Sequence, residues 1–396
     1  MKRIILLSLL GILSVSYAFA QPCVNDVWMS LRNKQIGKAK KIIDECVVAN
    51  SESAEVWLMR GNVYLQRFSQ EEDNLKKNPS YVVKDPDAVW IANESFYKAL
   101  QLDNKVEPRT GMMGPLEGQI LCAGPLYAKG RGYLEKGDFE NAEKYLVVAA
   151  RNFKLDAKNP DLSLYLSYIY SDMAYIAAKK NDAEAYKKAL VDGTNTHPST
   201  ADLYLMLYDV YKNEKDTANA EKILNAARKN VPDSLSKDIY AYEIGHYAMI
   251  NNVEKLNEAS EALVKKFGET PENLALVAGY LNNSDQMARA EGYIKRGLEM
   301  APNNFDLNQQ MGYRYFFEAE KYQNRIDEAL LNKEYSKVSE LQAEEKVALE
   351  NAHTWVEKAY QLNPNDVLNN RMLKQLKVKL RLEVPEALEQ SLQGNQ

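Results

Sequence analysis

The chain is poor in the residues that most often carry chemistry. Its 396 residues include three cysteines, three histidines and four tryptophans. No His-Glu-x-x-His, Cys-x-x-Cys, Gly-x-Ser-x-Gly or phosphate-cradling glycine loop occurs, and His197, His246 and His353 stand far apart. The spacings that mark metal, redox, acyl-transfer and nucleotide sites are therefore missing, and the expectation is a protein that is not an enzyme and uses no metal or cofactor. Glycine at 18 and proline at 13 are too scarce for a collagenous or low-complexity chain. Neither sign of charge prevails: 50 Lys and Arg face 55 Asp and Glu, net -5, which leaves no basic footprint for nucleic acid. With 45% hydrophobic and 27% charged residues, the composition is that of a helix-rich, well-packed chain.

One apolar run stands out. Met1 to Ala20 carries Lys2 and Arg3, a greasy stretch from Ile4 to Val15, and Ala18-Phe19-Ala20 at its end. This is the pattern of a secretory signal peptide, and it predicts an exported protein, in the periplasm or outer cell envelope, soluble after cleavage. Cys23 follows Gln21 and Pro22, unlike the small residues that precede a lipid-attachment cysteine. Val24 to Leu31 and Ala39 to Ile43 read as short helices about the Asn33 to Gly37 turn. An antiparallel hairpin would set Cys23 beside Cys46, so a disulfide is expected, the alternative being two separately buried thiols. Cys122 is left over.

The chain also repeats itself. Tyr204, Leu207, Tyr208, Tyr211, Ala220, Leu224, Ala227 and Pro232 fall at offsets that place two helices around the Asn213 to Thr217 turn. The frame recurs in Trp57, Gly61, Tyr64, Ala92, Phe96 and Ala99, then in Gly130, Tyr133, Gly137, Ala142, Leu146 and Ala149. It returns in the segments ending at Pro198, Pro271, Pro302 and Pro364. This closely resembles the tetratricopeptide repeat, whose 34-residue unit needs small residues where helix backbones approach and large ones between neighbours. The resemblance covers nearly the whole chain and implies an all-α, right-handed superhelical solenoid of helix hairpins. The organisation that follows is a signal peptide over 1–20, an N-terminal hairpin over 21–50, a solenoid over 51–304, a unit with an extended hairpin over 305–365, and a capping helix and tail over 366–396.

Three departures interrupt the period. Extra residues around 67–89, a polar stretch with Pro79 and Pro86, are expected to form a loop. A second insertion at about 103–125 is rich in Gly, Pro and Met and reads as a binding loop or a long connection. The third, between Gly312 and Ala352, contains no Gly or Pro and predicts a lengthened hairpin, with Phe316, Tyr322, Ile326, Ala329 and Leu330 facing Val338, Leu341, Val347 and Ala348. That hairpin, over 313–351, is a candidate arm for a partner or a second copy.

The resemblance implies that position 9 of each first helix lines a concave groove. Asn62, Arg131, Tyr175, Asp209, His246 and Tyr313 hold that position here and are the candidate contacts for a protein or peptide. The function expected is a non-enzymatic scaffold or adaptor of the cell envelope. The alternative is an extracytoplasmic glycan- or peptide-binding module of an uptake system. The chain has 25 tyrosines against 9 phenylalanines, which suits half-buried packing and recognition surfaces alike.

Overall fold

A computed structural model describes residues 22–389, apart from 157, 197–199, 233, 235 and 387. Residues 1–20, for which a signal peptide is expected, and His197 lie outside the described residues. The described chain is all α-helix apart from turns, loops and short 3-10 stretches. Helix α1 covers residues 22–32. There follow α2 (Ile36–Ala49), α3 (Ala54–Lys77), α4 (Ala88–Leu102), α5 (Pro115–Glu135), α6 (Phe139–Phe153), α7 (Pro160–Lys179) and α8 (Ala183–Thr194). The second half comprises α9 (Ala201–Asn213), α10 (Thr217–Asn230), α11 (Lys237–Met249), α12 (Val253–Phe267), α13 (Pro271–Asn283), α14 (Met287–Met300), α15 (Phe305–Leu331), α16 (Tyr335–Leu362) and α17 (Val367–Lys379). Among the described residues, odd and even helices pair into eight hairpins, and α17 closes the series. The chain divides into two compact units, the first ending at Leu203 and the second beginning at Tyr204.

Seven of the eight hairpins turn in the same way. Lys34, Gly137, Asn181, Lys215, Asn251, Asp285 and Lys333 each take a left-handed φ between 54° and 75°. In every case the next amide donates back to the carbonyl five residues earlier, as Asp182 N does to Ala177 O at 2.9 Å and Glu334 N to Ala329 O at 2.9 Å. This closing bond satisfies a carbonyl that the helix end leaves free. The residue making it often starts the next helix: Asp138, Asp182, Asp216 and Asn252 accept from the amide three residues on. A short, rigid turn with an acceptor on its far side gives each hairpin its close antiparallel pairing.

Small residues then let the helices meet. In the first unit Phe96 is fully buried between α3 and α5. A methyl group on Gly61 would lie 2.6 Å from its Cδ1, and one on Gly118 would strike the opposite edge of the same ring. Around it Ala92, Ala99, Leu126, Ala142, Leu146 and Ala149 are completely enclosed. In the second unit a methyl on Gly297 would lie 2.6 Å from Leu307 Cδ1, while Val356 occupies the space beside Gly312. Cys23 and Cys46 are joined by a disulfide, with Cα atoms 6.2 Å apart, across the α1–α2 hairpin.

The insertions fold differently from the loops expected of them. Residues 67–77 continue α3 rather than leaving it, because Arg67-Phe68-Ser69-Gln70-Glu71 contains no helix breaker and Arg67 pairs with Glu71 one turn on at 2.6 Å. Only 78–87 is a loop. Likewise 115–125 opens α5: Pro115 stands in its first turn, where its missing N–H costs nothing, and Gly118 is the notch for Phe96. The connection is confined to 103–114.

The lengthened hairpin is present, with α15 at 27 residues and α16 at 28, each about 40 Å long. Phe316, Ile326, Ala329, Val338, Leu341 and Ala348 fill its seam. Leu330 and Val347 do not: each lies one residue from a seam position, about 100° around its helix, and they are 47% and 57% exposed. Beyond the base, where α17 contributes Leu373 and Leu376, the arm's core is its own two helices. The closing helix stops at Lys379, followed by Arg381 at φ 58°.

Candidate functional site

The first helices of successive hairpins touch one another within each unit, α3 with α5 and α5 with α7 in the first. On α7, Tyr165, Tyr168, Asp172 and Tyr175 succeed one another at intervals of three, four and three residues and so share one face. Tyr165, Tyr168 and Tyr175 are 44%, 43% and 47% exposed, whereas most tyrosines of this unit are buried or half-buried. Two of the rings are held from behind. Tyr165 stacks on Phe153 with centroids 5.5 Å apart and meets Tyr127 edge-on at 6.0 Å. Tyr175 meets Phe139 edge-on at 6.4 Å and carries Lys179 over its ring at 5.3 Å.

Arg131 reaches from α5 into this row and binds Asp172, Nη1 to Oδ1 at 2.9 Å. Burial raises the Asp172 carboxyl against the pull of Arg131. The Asp172 carboxylate in turn raises the guanidinium above its ordinary value. Arg131, expected in the groove with Tyr175, binds Asp172 on the helix that carries Tyr175, while Asp172, Tyr127, Tyr165 and Tyr168 were not singled out from the sequence. Their three- and four-residue spacing was the available signal.

Asn62 does not line an open groove. It is buried at 3% exposure, its amide donating to Leu58 O and Met113 O at 3.0 Å each and accepting from Met113 N at 2.7 Å. Its work is to clamp the 103–114 connection, which Arg109 also pins by an ion pair to Glu55 at 2.7 Å. Met112 packs against the N-terminal hairpin's core. The Met-containing stretch is therefore fixed to its neighbours.

In the second unit Asp209 accepts from Tyr242 at 3.4 Å, and Tyr242 packs edge-on against Tyr208 at 5.4 Å. His246 is fully buried, contrary to a groove-lining role. Tyr208 occupies the position that a small residue takes in the repeat, and its hydroxyl sits 3.4 Å from His246 Nδ1. Burial holds the imidazole below its usual value, so the ring is neutral at pH 7. Tyr313 is half-buried. Burial, with the Asp366 charge adding to it, pushes its hydroxyl up to about 12, so it remains a proton donor at neutral pH. Cys122 is a buried free thiol, likewise pushed up to about 12 by burial and therefore unreactive. Among the described residues no group of three His, Cys, Asp or Glu is placed to hold a metal ion, and no helix is long and apolar enough to cross a membrane.

No family model matches the sequence, and no curated protein matches it. Solved structures do align with it at low identity. A chain of the Naa15/Naa10 complex bound to HypK-THB is 16% identical with a TM-score of 0.36, covering 95% of this chain, which spans half the length of that one. The C-terminal part of a TPR repeat-containing protein from Cytophaga hutchinsonii is 14% identical with a TM-score of 0.37, over 67% of this chain and 99% of its own. Yeast Tom70 is 14% identical with a TM-score of 0.33, over 95% of this chain and 92% of its own. The hairpin architecture is read from this chain's own helices, turns and spacings.

Proposed function

We propose that the chain is a non-enzymatic interaction module of the cell envelope, exported through its first twenty residues, that holds an extended segment of a protein partner on the first-helix face of its N-terminal unit. The observation that carries this reading is the row of half-exposed tyrosines on α7 beside the Arg131–Asp172 pair. A tyrosine buried on one edge and wet on the other offers a flat apolar surface and a hydroxyl with little side-chain entropy left to lose. Three such rings along one helix suit a strand-like peptide, whose side chains would lie against them while Arg131 meets its carbonyls. A second reading, self-association through the arm, is supported by a different observation: Leu331 at 83% and Tyr335 at 66% exposure stand at its tip.

The test is photo-cross-linking in the native envelope, with a photoreactive residue at position 168 in one strain and at 335 in another. The proposal expects one stoichiometric protein adduct from position 168, lost on Tyr175→Ala with Arg131→Ala. Adducts arising from position 335 alone, between two copies of the chain, would transfer the function to the arm. No adduct at either position would overturn both readings.

A further inference from the structure

The prolonged α3, the 78–87 loop and the middle of α5 border a cleft of about 690 Å³, within the range of sites that bury a ligand group. Its walls are of two kinds. Phe68 and Val89 on one side and Pro125 on the other are apolar, whereas Glu72, Asp73 and Asp85 present carboxylates. The cleft is held in shape by its own contacts. Lys84 N donates to Glu71 Oε2 at 3.0 Å, Arg67 binds Asp85 at 2.5 Å, and Lys129 Nζ donates to Pro86 O at 2.5 Å.

The charges are unevenly committed. Arg67 is shared by Glu71 and Asp85, and Lys129 is paired with Asp87 at 3.1 Å. Glu72 and Asp73 have no ion-pair partner among the described residues, and of the two lysines in the lining, Lys76 and Lys129, the second is bound to Asp87. Both sit in the last two turns of α3, where the helix's unpaired carbonyls add negative potential. Apolar walls leading to a lining in which four carboxylates, Glu71, Glu72, Asp73 and Asp85, outnumber two lysines complement one chemistry: a cation at the end of an aliphatic stem.

We propose that this cleft is a docking pocket for a lysine or arginine side chain of an extended peptide. Its methylenes lie between Phe68 and Pro125, and its charged head reaches Glu72 and Asp73. The pocket is distinct from the tyrosine row and does not depend on it.

The experiment uses the full chain and a labelled peptide of eight residues alternating leucine and lysine, read by fluorescence anisotropy at 50 mM salt. Binding is expected, weakened at least tenfold when the lysines are Nε-acetylated, and reduced about tenfold by Glu72→Gln with Asp73→Asn. These two substitutions are isosteric and on the helix surface, so the variant should melt with the parent. Failure to bind, equal binding of the acetylated peptide, or equal binding by the Glu72→Gln, Asp73→Asn variant would each overturn the proposal.

Discussion

Replacing Gly61 with alanine separates packing from helix propensity in a single measurement. The new methyl would lie 2.6, 2.7 and 2.9 Å from Cδ1, Cε1 and Cγ of Phe96, where ordinary carbon contacts begin near 3.5 Å. The ring has nowhere to go: it is fully buried, and its far edge already fills the notch at Gly118. Relief must come from displacing α3 or α5, and overpacking of this kind costs about 1 to 3 kcal/mol. Against this, alanine in a helix interior gains about 1 kcal/mol over glycine. At Gly132, in α5, an added methyl would meet nothing within 4 Å, so Gly132→Ala keeps the gain without the clash. The difference between the two variants is then the packing cost alone, about 1 to 3 kcal/mol. For a unit of roughly 200 residues this is a gap of about 3 to 10 °C in melting temperature, with Gly132→Ala the higher. Far-UV circular dichroism melting would read it. Trimming the ring with Phe96→Leu should cost less in the Gly61→Ala background than alone. Equal shifts for the two glycine variants, or equal cost of Phe96→Leu in both backgrounds, would refute this account of how α3, α4 and α5 meet.

Further outcomes follow from other features. Reducing the Cys23–Cys46 disulfide, which spans a separation of 23 residues, should lower the stability of the N-terminal hairpin by about 3 kcal/mol, visible as earlier exchange of α1 and α2 amides on adding a phosphine. Lys333→Gly removes a side chain from a left-handed turn at φ 61° and should stabilise the arm by about 0.5 to 1 kcal/mol, measured by urea unfolding. Burial keeps the imidazoles of His246 and His353 below the ordinary value of 6.5, so the unfolded chain binds protons that the folded one refuses. The stability these two groups contribute should therefore be full above pH 6.5 and decline as pH falls from there through the lowered values, while Glu243, its carboxyl raised by burial to about 7, acts in the opposite sense. Replacing both histidines with asparagine should make the fall in melting temperature between pH 6.5 and 5 smaller than in the parent, measured by thermal melts at each pH.

Much of the hairpin order was legible because it rests on side-chain size at fixed intervals. Gly61, Ala92 and Ala99 announce close helix approach wherever they occur, and the lengthened hairpin follows from a helical stretch without Gly or Pro. The faces were less legible, because exposure depends on what lies over a residue as well as on its own helix phase. Asn62 and Arg131 share a position in the repeat, yet Asn62 is covered by a connection that no other hairpin has, and Arg131 is not. His246 disappears beneath Tyr208, a large residue where the pattern asks for a small one. The tyrosine row of α7 was hidden because the repeat positions mark Tyr175 and pass over Tyr165 and Tyr168.

The proposed pocket has its origin in a missing turn. Seven hairpins end their first helix at one left-handed residue closed by a bond five residues back. In the α3–α4 hairpin Phe68 and Ser69 stand four and five residues after Tyr64, where Gly137-Asp138 and Lys215-Asp216 follow Tyr133 and Tyr211, and Arg67 binds Gln70 and Glu71 along the helix instead. Nothing stops α3 until Asn78 and Pro79, about three turns later. The chain must then run back along the overshoot to begin α4, and it can do so only at the distance that side chains set. That return leg, tied by Glu71 to Lys84 and by Arg67 to Asp85, leaves the cleft between itself and α5. Restoring a Gly-Asp turn after Tyr64 and deleting the overshoot should therefore keep the α3–α4 packing on Phe96 while abolishing the cleft and its peptide binding together. Retained binding in such a shortened chain would place the cation site elsewhere on the molecule.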